Sequence, residues 1–105
     1  KLHSGINIQA DSGAPIFAIN QGKVIYSDSG IRGYGNVIVV EHEQDLMSVY
    51  ANTKVNYVKA GDLVEKGQLL GDVGVMSGVN QSGLYFEIRH KGIAEDPFLY
   101  LSSEG

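Results

Sequence analysis

Apolar and polar side chains alternate from Leu84 to Arg89. Leu84, Phe86 and Ile88 fall on one face, Tyr85, Glu87 and Arg89 on the other. A period of two predicts a half-buried β-strand whose polar face looks into a cleft or solvent. Leu46 to Ala51 follows the same rule, with Met47, Val49 and Ala51 on one face and Leu46, Ser48 and Tyr50 on the other. Continuing that parity places Asn52 beside Tyr50. Asn36 to His42 differs: Val37, Ile38, Val39 and Val40 are consecutive and β-branched, which predicts a central strand buried on both faces. Pro15 to Ile19 reads as a strand with proline first, where a missing N–H costs least. Asn20 to Gly22 reads as a turn, and Lys23 to Ser27 as the second strand of a hairpin.

The remaining segments are weaker. Residues 1–14 look like a loop, with Ile6 and Ile8 as an isolated alternating pair. Asp28 to Gly35 is a glycine-rich loop, and Val75 to Ser82 a polar one. Gly61 to Val64 and Gly67 to Gly71 read as short strands separated by Glu65 and Lys66. Their rhythm, G-x-x-[IV] followed by G-x-[VL], also occurs at Gly13 to Ile16 and Gly22 to Val24, a weak internal repeat. Asp96 and Pro97 open a terminal turn, after which Phe98, Leu99 and Leu101 are expected to pack back onto the sheet; residues 102–105 form a tail. No stretch of ten residues keeps a helical period. With 14 glycines in 105 residues, about twice the usual share, the pattern predicts one all-β domain over residues 1–105, built of short strands and tight turns.

Charge and composition narrow the chemistry. A net charge of −4 without a like-charge run speaks against nucleic acid. No cysteine is present, so disulfides, thiolate catalysis and cysteine metal sites are excluded. No apolar run is long enough to span a bilayer. The domain is expected to be monomeric. It opens at Lys1 without an initiator methionine, so we expect it to be excised from a longer protein.

Three histidines occur. His42 closes a buried-type strand and reads as structural; His90 falls at a sheet edge. Only His3, on a polar loop followed by Gly5 and Asn7, has the setting of a site residue; taken without further context it reads as a plain surface histidine. No nucleophile elbow or phosphate-binding loop appears. Gly30 to Gly35 is glycine-rich, but no helix follows to receive a phosphate.

Read together, several segments resemble the lysostaphin/LytM-type zinc endopeptidases. His3 to Asn7 resembles that family's H-x-G-x-D metal motif. Asn36 to His42, then Ser48 to Asn52, resembles its G-N-x-hydrophobic…H strand followed by Y-A-H. Val64 to Gly71 resembles V-x-x-G-Q-x-I-G, and Leu84 to Arg89 with Asp96-Pro97 resembles H-L-H-F-E-x-R…N-P. The resemblance runs from His3 to Leu101. It implies a mostly antiparallel barrel-sandwich hybrid, a duplicated hybrid motif with an open groove. It also implies zinc ligands at the positions of His3, Asn7 and Tyr85, and catalytic histidines at those of Asn52 and Gly83. One ligand in three and neither catalytic histidine is present. A catalytic zinc needs about three protein donors and an open water position. The expectation is therefore no metal, no cofactor and no catalytic residue.

Arg32 to Gly35 and the Leu84 to Glu87 variant look like the degenerate EnvC/NlpD-like LytM factors. Such factors act outside the cytoplasm, in the periplasm or cell envelope, and switch on N-acetylmuramoyl-L-alanine amidases during cell separation. The resemblance thus implies a cell-wall amidase as protein partner and a partner-binding groove lined by His3, Asn7, Arg32, Tyr34, Tyr50, Asn52, Tyr85, Glu87 and Arg89. Tyr50 and Tyr85 have a plainer alternative, as plugs of the vacated metal hole. Two other functions stay open: a passive peptidoglycan-binding module, and a structural interaction domain of an envelope or sporulation complex. A lipoyl- or biotinyl-carrier reading fails because Lys23 and Lys66 lack the required hairpin-tip setting.

Overall fold

The computed structural model describes residues 5–76 and 80–97. It contains ten strands: β1 (Ile6–Gln9), β2 (Pro15–Phe17), β3 (Gly22–Asp28), β4 (Val37–Glu41), β5 (Leu46–Ala51), β6 (Thr53–Asn56), β7 (Leu63–Val64), β8 (Leu69–Val75), β9 (Ser82–His90) and β10 (Ile93–Glu95). Every pairing is antiparallel, and the order across the curled sheet is β2-β8-β9-β5-β4-β3-β7. β1 and β10 add to β9, and β6 adds to β8. The fold is all-β, as the glycine-punctuated pattern predicts.

β9 is the hub, pairing with β1, β5, β8 and β10. Its apolar parity turns inward: Leu84, Phe86 and Ile88 join Ile38, Val40, Tyr50, Leu70 and Val73 in the main core. Registers then place the other parity in rows across the opposite face. Asn7, Tyr85, Ala51 and Val37 are successive Cα partners, and so are Glu87, Val49 and Val39. Val37, Val49 and Ala51 form a second, smaller apolar cluster under Tyr26, Tyr34, Val39 and Tyr85. β4 is thus covered on both faces, which is why it carries consecutive β-branched residues.

The internal repeat is structural, but with Gly71 rather than Gly67 as the counterpart of Gly22. Ile16 pairs with Gly71, and its counterpart Val64 pairs with Gly22. The amide of Gly13 reaches the Val73 carbonyl (2.7 Å), as that of Gly61 reaches the Val24 carbonyl (2.7 Å). The first strand of each repeat therefore pairs with the second strand of the other. Both second-strand glycines sit under a crossing backbone: a Cβ would lie 2.3 Å from the Glu41 carbonyl oxygen at Gly22, and 2.4 Å from that of Val55 at Gly71.

This exchange corrects the expected hairpin. β2 pairs with β8 and β3 with β4 and β7, so the strands flanking Asn20 to Gly22 part instead of pairing. The expected 1–14 loop is also corrected over Ile6–Gln9, which is strand β1. Its hydrogen bonds come from β9, a partner remote in sequence. β6 and β10 have too little apolar alternation to be predicted; pairing with β8 and β9 makes them strands. His3, Phe98, Leu99 and Leu101 lie outside the described residues.

Candidate functional site

β9 projects Tyr85, Glu87 and Arg89 from the face opposite the core. Glu87 is fully buried. The chain crosses directly over it: a Cβ on Gly5 would lie 2.7 Å from Glu87 Cγ. The carboxylate is met by donors on both oxygens. Oε2 accepts from the Tyr34 hydroxyl at 2.6 Å and the Tyr85 hydroxyl at 2.8 Å; Oε1 accepts from Arg89 Nε at 2.9 Å. Arg89 Nη1 donates onward to the Gly92 carbonyl at 3.1 Å. The Tyr34 and Tyr85 rings meet edge to face, with centroids 5.8 Å apart. Charge-assisted bonds of this length are the strong class, so one buried anion fixes two phenols and a guanidinium.

Protonation follows from this packing. Burial, then the hydrogen bond to Glu87, pushes the Tyr85 phenol up to about 12. The same two causes raise Tyr34. Burial alone would lower Arg89, but bonding to Tyr34 and attraction to Glu87 outweigh it and the guanidinium is held more firmly charged. Both phenols are therefore donors near neutrality. The cluster is a closed hydrogen-bonded floor with one cation, and among the described residues no three His, Asp or Glu side chains converge as a metal-binding group.

The other expected site residues divide. Asn7 is exposed on β1 as the Cα partner of Tyr85. Arg32 is exposed on the loop that carries Tyr34. Asn52 takes a left-handed φ of 65° directly after β5. Its amide donates to the Tyr34 carbonyl (3.1 Å) and its carbonyl accepts from the Gly74 amide (3.0 Å), so it anchors the Tyr34 loop to β8. That φ breaks the parity that would have set it beside Tyr50. Tyr50 is a correction: it does not line this face. It is 1% exposed on the core side, against Phe86 with ring centroids 5.4 Å apart, because its parity is that of Phe86 and Ile88. Its hydroxyl accepts from the Ile19 amide at 3.2 Å and lies 2.8 Å from Ser48 Oγ. His42 is structural as expected, with Nδ1 2.7 Å from the Gln21 carbonyl oxygen and Nε2 2.8 Å from Ser48 Oγ. His90 sits on the β9 edge, 3.6 Å from Glu95.

Two residues of this face escaped the sequence reading. Strict alternation would put Tyr26 with Val24 in the core, but a bulge between them turns Tyr26 to the second cluster. Met76 packs where a side chain at Gly83 would go: a Cβ there would lie 3.0 Å from Met76 Cε and 2.8 Å from the Ile8 carbonyl oxygen. The contact forms across the β8–β9 connection, where the Met76 amide donates to the Gln81 carbonyl at 2.9 Å.

A curled antiparallel sheet with such a face defines a class, and the chain belongs to peptidase family M23, whose model matches residues 1–97. It is 37% identical over 103 residues to the uncharacterized lipoprotein YgeR of Escherichia coli, covering 98% of this chain and 41% of that protein. It is 36% identical over 99 residues to the murein hydrolase activator NlpD of E. coli, covering 94% and 26%. The chain thus spans less than half the length of these relatives. Among solved structures it is similar to the catalytic domain of the antimicrobial peptidase lysostaphin from Staphylococcus simulans, with a TM-score of 0.88, 27% identity and coverage of 97% and 80%. It is also similar to a chain of the SpoIIIAH and SpoIIQ complex, with a TM-score of 0.86, 28% identity and coverage of 95% and 72%. Within the described residues no helix is long and apolar enough to cross a membrane.

Proposed function

We propose that this domain is a non-enzymatic activator of cell-wall N-acetylmuramoyl-L-alanine amidases, acting in the bacterial envelope outside the cytoplasm during cell separation. The observation that carries the reading is the hydrogen-bonded floor of Tyr34, Tyr85, Glu87 and Arg89. It stands where the family resemblance puts a metal centre. Tyr85 and Asn7 hold two of the ligand positions. A protonated phenol and a neutral amide are poor zinc donors. Met76 occupies the space above Gly83, the position of a catalytic histidine. Without a metal to lower the pKa of a bound water, hydrolysis has no nucleophile. The name of the E. coli relative NlpD, a murein hydrolase activator, supports the same reading.

On this proposal the groove receives a segment of the amidase, a helix-in-groove contact that draws an inhibitory element off the amidase active site. Asn7, Arg32, Tyr34, Tyr85 and Arg89 form its surface, with Asn52 holding the Tyr34 loop in place; the resemblance adds His3, which lies outside the described residues. Glu87 works from beneath by orienting the two tyrosines and Arg89. Rigid aromatic and arginine anchors suit such contacts. The test is dye release from labelled cell wall. The domain with an amidase should release more dye than the amidase alone, and the domain alone should release none. Release by the domain alone that a chelator stops would overturn the reading. A second reading, an interaction domain of an envelope complex, draws on the likeness to a chain of the SpoIIIAH and SpoIIQ complex. It predicts stable complex formation with no change in amidase rate.

A further inference from the structure

β1 presents its two faces to different places. Asn7 neighbours Tyr85 on the groove face, whereas Ile8, of the opposite parity, lines an apolar pocket of about 210 Å³ with Phe17, Ile19, Tyr50, Leu84 and Phe86. Ile8 and Phe17 remain 36% and 53% exposed at the pocket mouth. Among the described residues β1 pairs with β9 alone, so its outer edge carries main-chain donors and acceptors with no strand beside them. Edge strands are usually blunted by lysine, proline or a bulge. β1 has none of these: Gly5 to Ala10 is uncharged, and its register with β9 is unbroken.

Charge selects the occupant. The whole chain carries −4, yet among the described residues none that lines this pocket or forms β1 is charged. A charged side chain entering there would lose its hydration without meeting a counter-charge. A neutral aliphatic one would leave water at no such cost. The edge itself asks for an extended backbone, because only a strand matches its spacing of donors and acceptors.

We propose that the outer edge of β1 and the pocket under Ile8 form a second binding site, which takes an extended, uncharged peptide strand of a partner and seats one aliphatic side chain in the pocket. This site lies on the opposite face of β1 from the groove and does not depend on the activator reading. The probe is a capped peptide of alternating threonine and valine with a central leucine, titrated into the isotope-labelled domain and followed by amide NMR. Shifts should concentrate on Ile6 to Ala10, Phe17 and Ile19. Ile8→Lys should weaken binding about tenfold or more, and Ile8→Val should largely retain it. A peptide with N-methylated backbone amides should not bind, because it cannot complete the edge. Any of three outcomes overturns the proposal: no shifts at millimolar peptide, shifts centred on Tyr34 and Tyr85, or equal binding of the N-methylated peptide. Shifts that follow protein concentration without peptide would make the edge a self-association surface and overturn it as well.

Discussion

Glu87 shows how one residue's setting decides a whole face. From the alternation of β9 alone it is a wet glutamate; in the fold it is fully buried, because Gly5 and the Tyr34 loop close over it. Those covering segments are remote in sequence, so parity gave the face but not its burial. Removing a partner from a buried charge costs more than a surface ion pair is worth. Arg89→Ala should lower unfolding stability in urea by about 1–3 kcal/mol, the two phenols still serving Oε2. Tyr85 makes a pH prediction. Its phenol is raised from 10.0 to about 12 in the folded state, so its contribution to stability is complete below pH 10 and is lost as pH climbs through about 12. Tyr85→Phe should flatten that alkaline loss, read by denaturation across the same range. An unchanged profile would mean the phenol gains nothing from its site.

At the scale of elements, legibility tracked how local the cause was. β4, β5 and β9 were readable because burial of their faces writes a period into the sequence. A β2–β3 hairpin is not what forms, because a three-residue turn signals only a change of direction and strand exchange between repeats sets the pairing. Resemblance to a site motif points Tyr50 into the groove, but its parity with Phe86 puts it in the core. The polar contacts beneath β5 make a testable statement about His42. A carbonyl oxygen only accepts, so the contact of Nδ1 with the Gln21 carbonyl at 2.7 Å requires a proton on Nδ1. Nitrogen NMR should find a proton on Nδ1, and an unprotonated Nδ1 would contradict the contact.

At the scale of the molecule, the exchanged repeats and the hub strand join the ten strands of the described residues into one sheet. Gly22 and Gly71 are equivalent under the repeat, and at both a methyl would strike a crossing carbonyl. Gly22→Ala and Gly71→Ala should each destabilise by about 1–3 kcal/mol, in similar measure, by urea or thermal unfolding. A large effect at one with none at the other would break the equivalence. The family and its fold were legible because their motifs are spread across most of the chain. The identity of the surface residues was less so, since His3 lies outside the described residues and Tyr26 and Met76 reach this face through a bulge and through the turn between β8 and β9. The central claim is that this face is a closed, metal-independent floor for a protein partner. Zinc content measures that most directly, with the purified domain equilibrated with zinc and then desalted. We predict far less than one zinc per domain and no cell-wall release by the domain alone. One tightly held zinc per domain, with chelator-sensitive release, would contradict it.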